Sequence, residues 1–353
     1  GSNNGYDTRI PYQTYYASLN IADNLPVTVP YNSSVVSAKG ITTPSCSPKG
    51  GNCIDVYSVL TVVSSVPATD SFRPPYSGSG SKNSNWTYSD NLYSRLANVP
   101  RSQVSSVPSI SQVADYFSKT WYEQATDWTG EYYSPFYMTG NPNFGYGWDH
   151  SARTSDASIL LNLDFTRAQK RDLLIGVIQY GIDIYGLSNS GMTWPADGGH
   201  KIGRLLPLTL TALVLNDSGM KSIITGSAKK FQEIQGTFFI TPGDVARVHG
   251  SYQNCDDNPS TPNTIQSANC GTRYEFTDNS QGTNNVVGSD WWGIRHTELP
   301  QMDNNTWSGQ DNAYIDINLS SYPGTVGAII AMNARGAVGH EPLFKITERY
   351  AAR

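Results

Sequence analysis

The sequence predicts a mainly α-helical fold: an incomplete (α/α) toroid-like body, with an N-terminal β-rich segment packed on it and long stapled loops. Three observations predict it. The stretch 167–187 carries Leu173, Leu174, Ile175, Val177, Ile178, Ile182, Ile184 and Tyr185, leaving almost no polar face beyond its first turn. A helix that apolar is an inner one, surrounded by others. The stretch 192–215 ends in a second apolar run, Leu205 to Leu215. Before residue 70 the pattern is different, with alternating β-branched residues in LPVTVPY (25–31) and VYSVLTVV (56–63) that read as strands. The division drawn from these signals is 1–108 for the β-rich segment and 109–353 for the helical body.

Taken in order, the elements have local reasons. After the first strands, SFRPPY (71–76) is an irregular crossing, because Pro74 and Pro75 forbid helix. Arg73 and Tyr76 flank this kink, placed either to line a cleft or to pack on the body. From Ser109 the apolar residues Ile110, Val113, Phe117 and Trp121 fall near helical spacing, with Ser109 or Ser111 as the cap. A loop dense in aromatic residues fills 128–150. A helix is expected over 152–163, and another from Thr166, its cap, to about Leu187. Asp183 lies inside that apolar helix and must find a partner, because a buried lone carboxylate is costly. Gly176, Gly181 and Gly186 weaken the helix but let neighbours approach. Pro195, Gly198 and Gly199 place the start of the next helix near Asp197 or Gly199, with Asp197 as its cap. A helical stretch over 219–232, a strand in GTFFITP (236–242), a long loop through 281–303 and closing helices over 324–333 and 342–352 complete the chain.

At 353 residues the chain can bury a large core. Only 15% of residues are charged, the net charge is −5, and no basic stripe is present, which argues against a nucleic-acid partner. Tyrosine is frequent, with 22 residues, and tryptophan contributes 8. That composition, with abundant Asn, Ser and Thr, suits an extracellular protein. Five N-x-S/T sequons, at Asn32, Asn85, Asn216, Asn304 and Asn318, are compatible with secretion, although a chain this rich in those residues yields them by chance. No apolar run is long enough to span a bilayer. The cysteines fall as Cys46 with Cys53 and Cys255 with Cys270; three connectivities are open, and the nearest-neighbour pairing is the one adopted here. Disulfides imply an oxidising compartment. A zinc site is the rival reading, but neither pair has C-x-x-C spacing.

Several chemistries lack their patterns. There is no G-x-S-x-G elbow, no H-E-x-x-H, and no dinucleotide or phosphate loop, so no metal or cofactor is expected. What remains is a set of polar residues in three loop-to-helix regions: Tyr146, Asp149, His150 and Arg153; Trp194, Asp197, His200 and Arg204; and Trp292, Arg295 and His296. On the expected helix His200 and Arg204 stand four apart, on one face and near its positive end, where an anion is well received. This mixture suits β-elimination at a uronic acid residue of a polysaccharide. The reaction needs a cation on the uronate carboxylate, a base at C5 and an acid at the C4 oxygen. Arg204 is assigned to the carboxylate, His200 to the base and Tyr146 to the acid, with His150 as the competing base. Trp194 would stack on sugar, with Arg153, Arg295, His296 and Trp292 on the substrate side. The alternatives are a glycoside hydrolase using Asp149 and Asp197 as its carboxylate pair, and a non-catalytic carbohydrate-binding or cell-surface protein. In a purely structural reading both aspartates are helix caps, Arg204 pairs with a neighbouring acid and His200 is a hydrogen-bonded structural residue.

The segments WPADGGHKIGRLLP (194–207), SFRPPY (71–76) and WGIRH (292–296) look like segments of secreted bacterial proteins. From about residue 110 onward, the helix-rich organisation resembles that of the helical-toroid polysaccharide lyases, such as alginate and heparin lyases. The helix signature N-N-H-x-Y-W of those families is absent. The resemblance implies an architecture and a substrate class, and no catalytic residue is transferred from it.

Overall fold

The computed structural model describes residues 25–40, 54–78, 82, 85–121, 123, 147–196, 201–239, 264–265, 274–275, 290–294, 299–300 and 313–352. Within them the chain is mainly helical, with a small N-terminal β segment. That segment is one antiparallel hairpin, β1 (Ser33–Gly40) on β2 (Ile54–Val62), in which Val36 faces Val59. The expected strand at 25–31 is not formed, and β1 begins just after it. Pro26 and Pro30 have no N–H to give a ladder. Asn32, at φ 65°, turns the chain and donates its N–H to the Val62 carbonyl at 2.7 Å.

The helical body runs α1 (Ile110–Phe117), α2 (Gly147–Asn162), α3 (Arg167–Asn189), α4 (Leu205–Val214), α5 (Ser218–Ile224) and α6 (Gln232–Gln235). The short strands β3 (Thr237–Phe239), β4 (Thr264–Ile265), β5 (Tyr274–Glu275), β6 (Asp290–Ile294) and β7 (Leu299–Pro300) follow. The chain then continues in α7 (Ala313–Ala331), α8 (Arg335–Val338) and α9 (Glu341–Ala351). β6 lies between β3 and β7, both antiparallel to it, so part of the expected long loop is strand. Ser109 caps α1, accepting from the Gln112 amide. Thr166 caps α3 in a reciprocal box with Gln169, which satisfies two otherwise open donors.

α3 lies at the centre, packed against α1, α2, α4 and α5, while α2 lies along α7. Leu173, Leu174, Ile178, Ile182 and Ile184 of α3 are fully buried, as are Leu205, Leu206, Leu208 and Leu210 of α4. Each such side chain contributes roughly 1.5–3 kcal/mol of transfer free energy. The two helices approach closely at Gly181, where a Cβ would overlap the Thr211 side chain. Phe72, Tyr76, Leu92 and Tyr93 enter the same hydrophobic core as the helices.

Two helices begin elsewhere than expected. α7 starts eleven residues before 324 (324 − 313) and carries Pro323 in its interior. An interior proline costs about 3 kcal/mol, and here Leu319, Tyr322, Val326 and Ile329, all buried, offset it. α4 begins only at Leu205, not near Asp197. Gly203 has φ 94°, a left-handed conformation that no continuing α-helix contains. Its amide is taken by Glu233 Oε1 at 2.7 Å, and the Lys201 amide by Gln232 Oε1 at 2.8 Å. Residues 201–204 are therefore a turn fastened to α6. The face expected to carry His200 and Arg204 rests on a helix that does not form over 201–204, and His200 itself lies outside the described residues.

The expected disulfides are corrected as well. No pair of cysteines is within bonding distance, and Cys46, Cys53, Cys255 and Cys270 all lie outside the described residues. Among the described residues no helix is long and apolar enough to cross a membrane.

Candidate functional site

A buried polar network runs through the middle of the helical body, and it starts at the kink. Pro74 and Pro75 hold 71–76 extended across α3, where Arg73 meets Asp183 in a two-pronged ion pair, Nη1 to Oδ1 at 3.0 Å and Nη2 to Oδ2 at 2.5 Å. The Tyr76 amide adds a third bond to Asp183 Oδ1 at 3.2 Å. Asp183 is the buried carboxylate that needed a partner. Burial pushes its carboxyl up, while Arg73 and the Tyr76 amide pull it back.

Tyr76 carries the network onward, its hydroxyl accepting from the Glu123 amide at 3.1 Å. Glu123 and Arg204, each almost fully buried, form a second ion pair, Nε to Oε1 at 2.9 Å and Nη2 to Oε2 at 3.2 Å. The Tyr180 hydroxyl lies 3.1 Å from Glu123 Oε1 and 2.9 Å from His150 Nε2. On its other side His150 Nδ1 is 2.9 Å from the Ile202 carbonyl, which also accepts from Arg204 Nη1 at 3.1 Å. Trp121 roofs the pair, its ring centroid 5.4 Å from that of His150 and 4.8 Å from that of Tyr180.

The electrostatics follow from burial. Desolvation, with the Arg204 guanidinium close by, holds His150 well below the ordinary histidine range, so its imidazole is neutral near pH 7. Desolvation and the Glu123 carboxylate push the Tyr180 phenol well above its usual value. Burial opposes the Arg204 charge, and Glu123 and Tyr180 more than offset that, leaving the guanidinium firmly protonated. Glu233 is raised by burial, and its Oε2 has no hydrogen-bond partner among the described residues.

This geometry sorts the residues expected from sequence. Arg204 and His150 are brought together, but inside the core. Arg204 is the N-cap of α4 and is engaged by Glu123 and Ile202, which corrects its assignment as an open receptor for the uronate carboxylate. Trp194 is 1% exposed and stacked on Phe231, with centroids 5.3 Å apart and planes 3° from parallel, so its face is not presented to sugar. Arg153 is half-buried on α2, its guanidinium 4.2 Å over the Tyr116 ring. Asp149, also half-buried, lies in the first turn of α2. Trp292 stands in β6 opposite Thr237. Tyr146, Asp197, His200, Arg295 and His296 lie outside the described residues.

No protein-family model, no curated protein and no solved structure matches this chain.

Three members of the network were not anticipated. Tyr180 was legible in principle, as a hydroxyl three residues before Asp183 in the same apolar helix. Glu123 and Glu233 gave no local signal, because each finds its cation or amide far away in the sequence. Among the described residues no group of three or more His, Cys, Asp or Glu side chains is placed to hold a metal ion.

Proposed function

We propose that this chain is a secreted carbohydrate-active enzyme that cleaves a polysaccharide by β-elimination next to a uronic acid residue. Its helical body would curl toward a toroid around that site. The segment 197–200, with Asp197 and His200, is the centre of the proposal. What supports it is the way both flanks of that segment are pinned to one short piece of chain. On one side the Trp194 amide donates to the Lys230 carbonyl at 2.7 Å, and the Trp194 ring stacks on Phe231. On the other side Lys201 and Gly203 donate to Gln232 and Glu233. Reactive groups need such a supporting shell, because small displacements of a catalytic side chain cost much of the rate.

In this reading His200 removes the C5 proton and Tyr146 protonates the C4 oxygen. The C5–H and C4–O bonds break, a C4–C5 double bond forms, and the proton taken by His200 passes through solvent to the Tyr146 phenolate, restoring both groups. Arg153, half-buried on α2, replaces Arg204 as the cation that faces the uronate, and Arg204 becomes a positioning residue behind the turn. Trp148, 48% exposed in the first turn of α2, is the stacking aromatic.

The test is incubation of the chain with a panel of uronate-containing and neutral polysaccharides, following ultraviolet absorbance of unsaturated uronides together with new reducing ends. Both signals should rise, and His200→Ala should abolish both. Reducing ends without ultraviolet absorbance would move the assignment to hydrolysis through Asp149 and Asp197. Retention on a polysaccharide gel without either signal would establish a binding protein and overturn the enzyme reading.

A further inference from the structure

The Ile202 carbonyl, His150, Tyr180 and Glu123 form a string with three contacts: 2.9 Å from carbonyl oxygen to Nδ1, 2.9 Å from Nε2 to the phenol oxygen, and 3.1 Å from that oxygen to Oε1. Each contact needs one hydrogen. A carbonyl and a carboxylate bring none, a neutral imidazole brings one and a phenol brings one. Two hydrogens must serve three places, so in the neutral string one pair of acceptors faces the other bare.

Three arrangements exist. In the first, Tyr180 donates to Glu123 and His150 Nε2–H donates to Tyr180, leaving Nδ1 bare against Ile202. In the second, His150 Nδ1–H donates to Ile202 and Tyr180 donates to Nε2, leaving the phenol oxygen bare against a carboxylate. In the third, His150 Nδ1–H donates to Ile202 and Tyr180 donates to Glu123, leaving Nε2 bare against the phenol oxygen. A bond to a carboxylate is about twice as strong as one between neutral groups. The Ile202 carbonyl, moreover, already accepts from Arg204 Nη1. The first fact disfavours the second arrangement, and the second fact, a carbonyl already supplied with a donor, favours the first arrangement over the third.

We infer that His150, Tyr180 and Glu123 form a single proton-binding string ending on the backbone of the 201–204 turn, with its one vacant place at His150 Nδ1. A proton entering there converts the imidazole to imidazolium, breaks no bond, and gives the Ile202 carbonyl a second donor. The proton thereby adds a bond from α2 to the turn, while burial of the charge beside Arg204 makes the protonated form costly to the fold as a whole. The charged and titratable groups around the string are Glu123 beyond α1, Tyr180 and Asp183 on α3, Arg204 at the head of α4, Glu233 on α6, and Tyr322 on α7 beyond Glu233. Arg204 opposes the incoming charge and Glu123 favours it. The inference concerns a site that the elimination reading does not use, and it stands whatever the chain acts on.

Long-range proton–nitrogen correlation on the full chain, labelled with nitrogen-15 histidine, tests it without any activity measurement. The His150 signals are assigned by replacing each other histidine in turn. At pH 8 the wild-type His150 should carry its hydrogen on Nε2, with an unprotonated Nδ1. As the pH falls below the ordinary histidine range, Nδ1 should become protonated while the chain remains folded. Tyr180→Phe removes the acceptor of the Nε2 hydrogen, and the tautomer should switch to Nδ1–H. A wild-type Nδ1–H tautomer at pH 8 overturns the inference, as does an unchanged tautomer in a folded Tyr180→Phe. Unfolding before the second hydrogen is gained overturns it too. If Tyr180→Phe does not fold, the wild-type tautomer and its titration decide alone.

Discussion

Arg204 and Glu123, 81 residues apart in the chain, meet through two hydrogen bonds with side chains only 2% and 4% exposed. Their pairing joins the chain beyond α1 to the head of α4, and the Tyr76 hydroxyl, the Tyr180 hydroxyl and the Ile202 carbonyl each hydrogen-bond one of the two. Breaking a buried pair leaves an uncompensated charge and costs about 3–5 kcal/mol. Arg204→Met and Glu123→Gln should each destabilise the chain by that order in urea unfolding. The double substitution Arg204→Met with Glu123→Met should lose less than the sum of the single losses. Strict additivity would show that the two do not stabilise each other.

Arg73 and Asp183 make a second cycle. Arg73 is partly exposed and Asp183 is 1% exposed, so the two ends of this pair are unequal. Asp183→Asn should cost less than Arg73→Ala, because the amide is neutral and keeps an oxygen for the Tyr76 amide, while the alanine leaves a carboxylate buried alone. The loss in Arg73→Ala should be about 2–4 kcal/mol in thermal or denaturant unfolding.

Gly203 is a conformational requirement. Its φ of 94° disfavours a side chain, and a Cβ there would press on the Ser151 backbone and on His150 Nδ1. Gly203→Ala should lose at least about 1–3 kcal/mol from the backbone strain alone. Gly327 in α7 is the control, since a Cβ meets nothing within 4 Å. Gly327→Ala should be neutral or gain about 0.5–1 kcal/mol. Equal effects at the two sites would show that the turn tolerates other conformations.

His150 sets a pH dependence whose sign can be worked out. Its folded pKa lies well below the ordinary 6.5. Between those two values the unfolded chain binds more protons, so stability rises with pH across that window. The contribution is complete above 6.5 and is lost as the pH falls toward the folded value. Asp183 and Glu233 have raised folded pKa values and act in the opposite direction at lower pH, because the folded state holds their protons. Unfolding free energy measured from pH 7.5 to 5 should therefore decline on the acid side, and His150→Gln should flatten the decline. A profile unchanged by that substitution would remove His150 as its source.

At the head of α3, Thr166→Ala should cost about 1 kcal/mol, the usual value of a lost cap. The same substitution should leave the core network untouched, because among the described residues the Thr166 side chain bonds to Gln169 and to no member of that network. Thermal unfolding of the variant, with unchanged near-ultraviolet circular dichroism, checks both halves.

The helical class, the inner position of α3, its Thr166 cap, a serine cap of α1 at Ser109 or Ser111 and the need of Asp183 for a partner were all legible in the sequence. Each depends on residues within a few positions of one another: a run of apolar side chains, a hydroxyl before a helix, a carboxylate among leucines. The tertiary structure decided the rest. It set the start of α4 at Leu205, because Gln232 and Glu233 capture the amides of the preceding turn. It carried α7 through Pro323, because core packing outweighs one missing hydrogen bond. It turned Arg204 inward to Glu123, and Trp194 onto Phe231. For the turn before α4, for Trp194 and for Arg204, the deciding partner lies 30 to 81 residues away. Local periodicity holds no record of such distances, and the energy of a buried charge depends on who meets it in space.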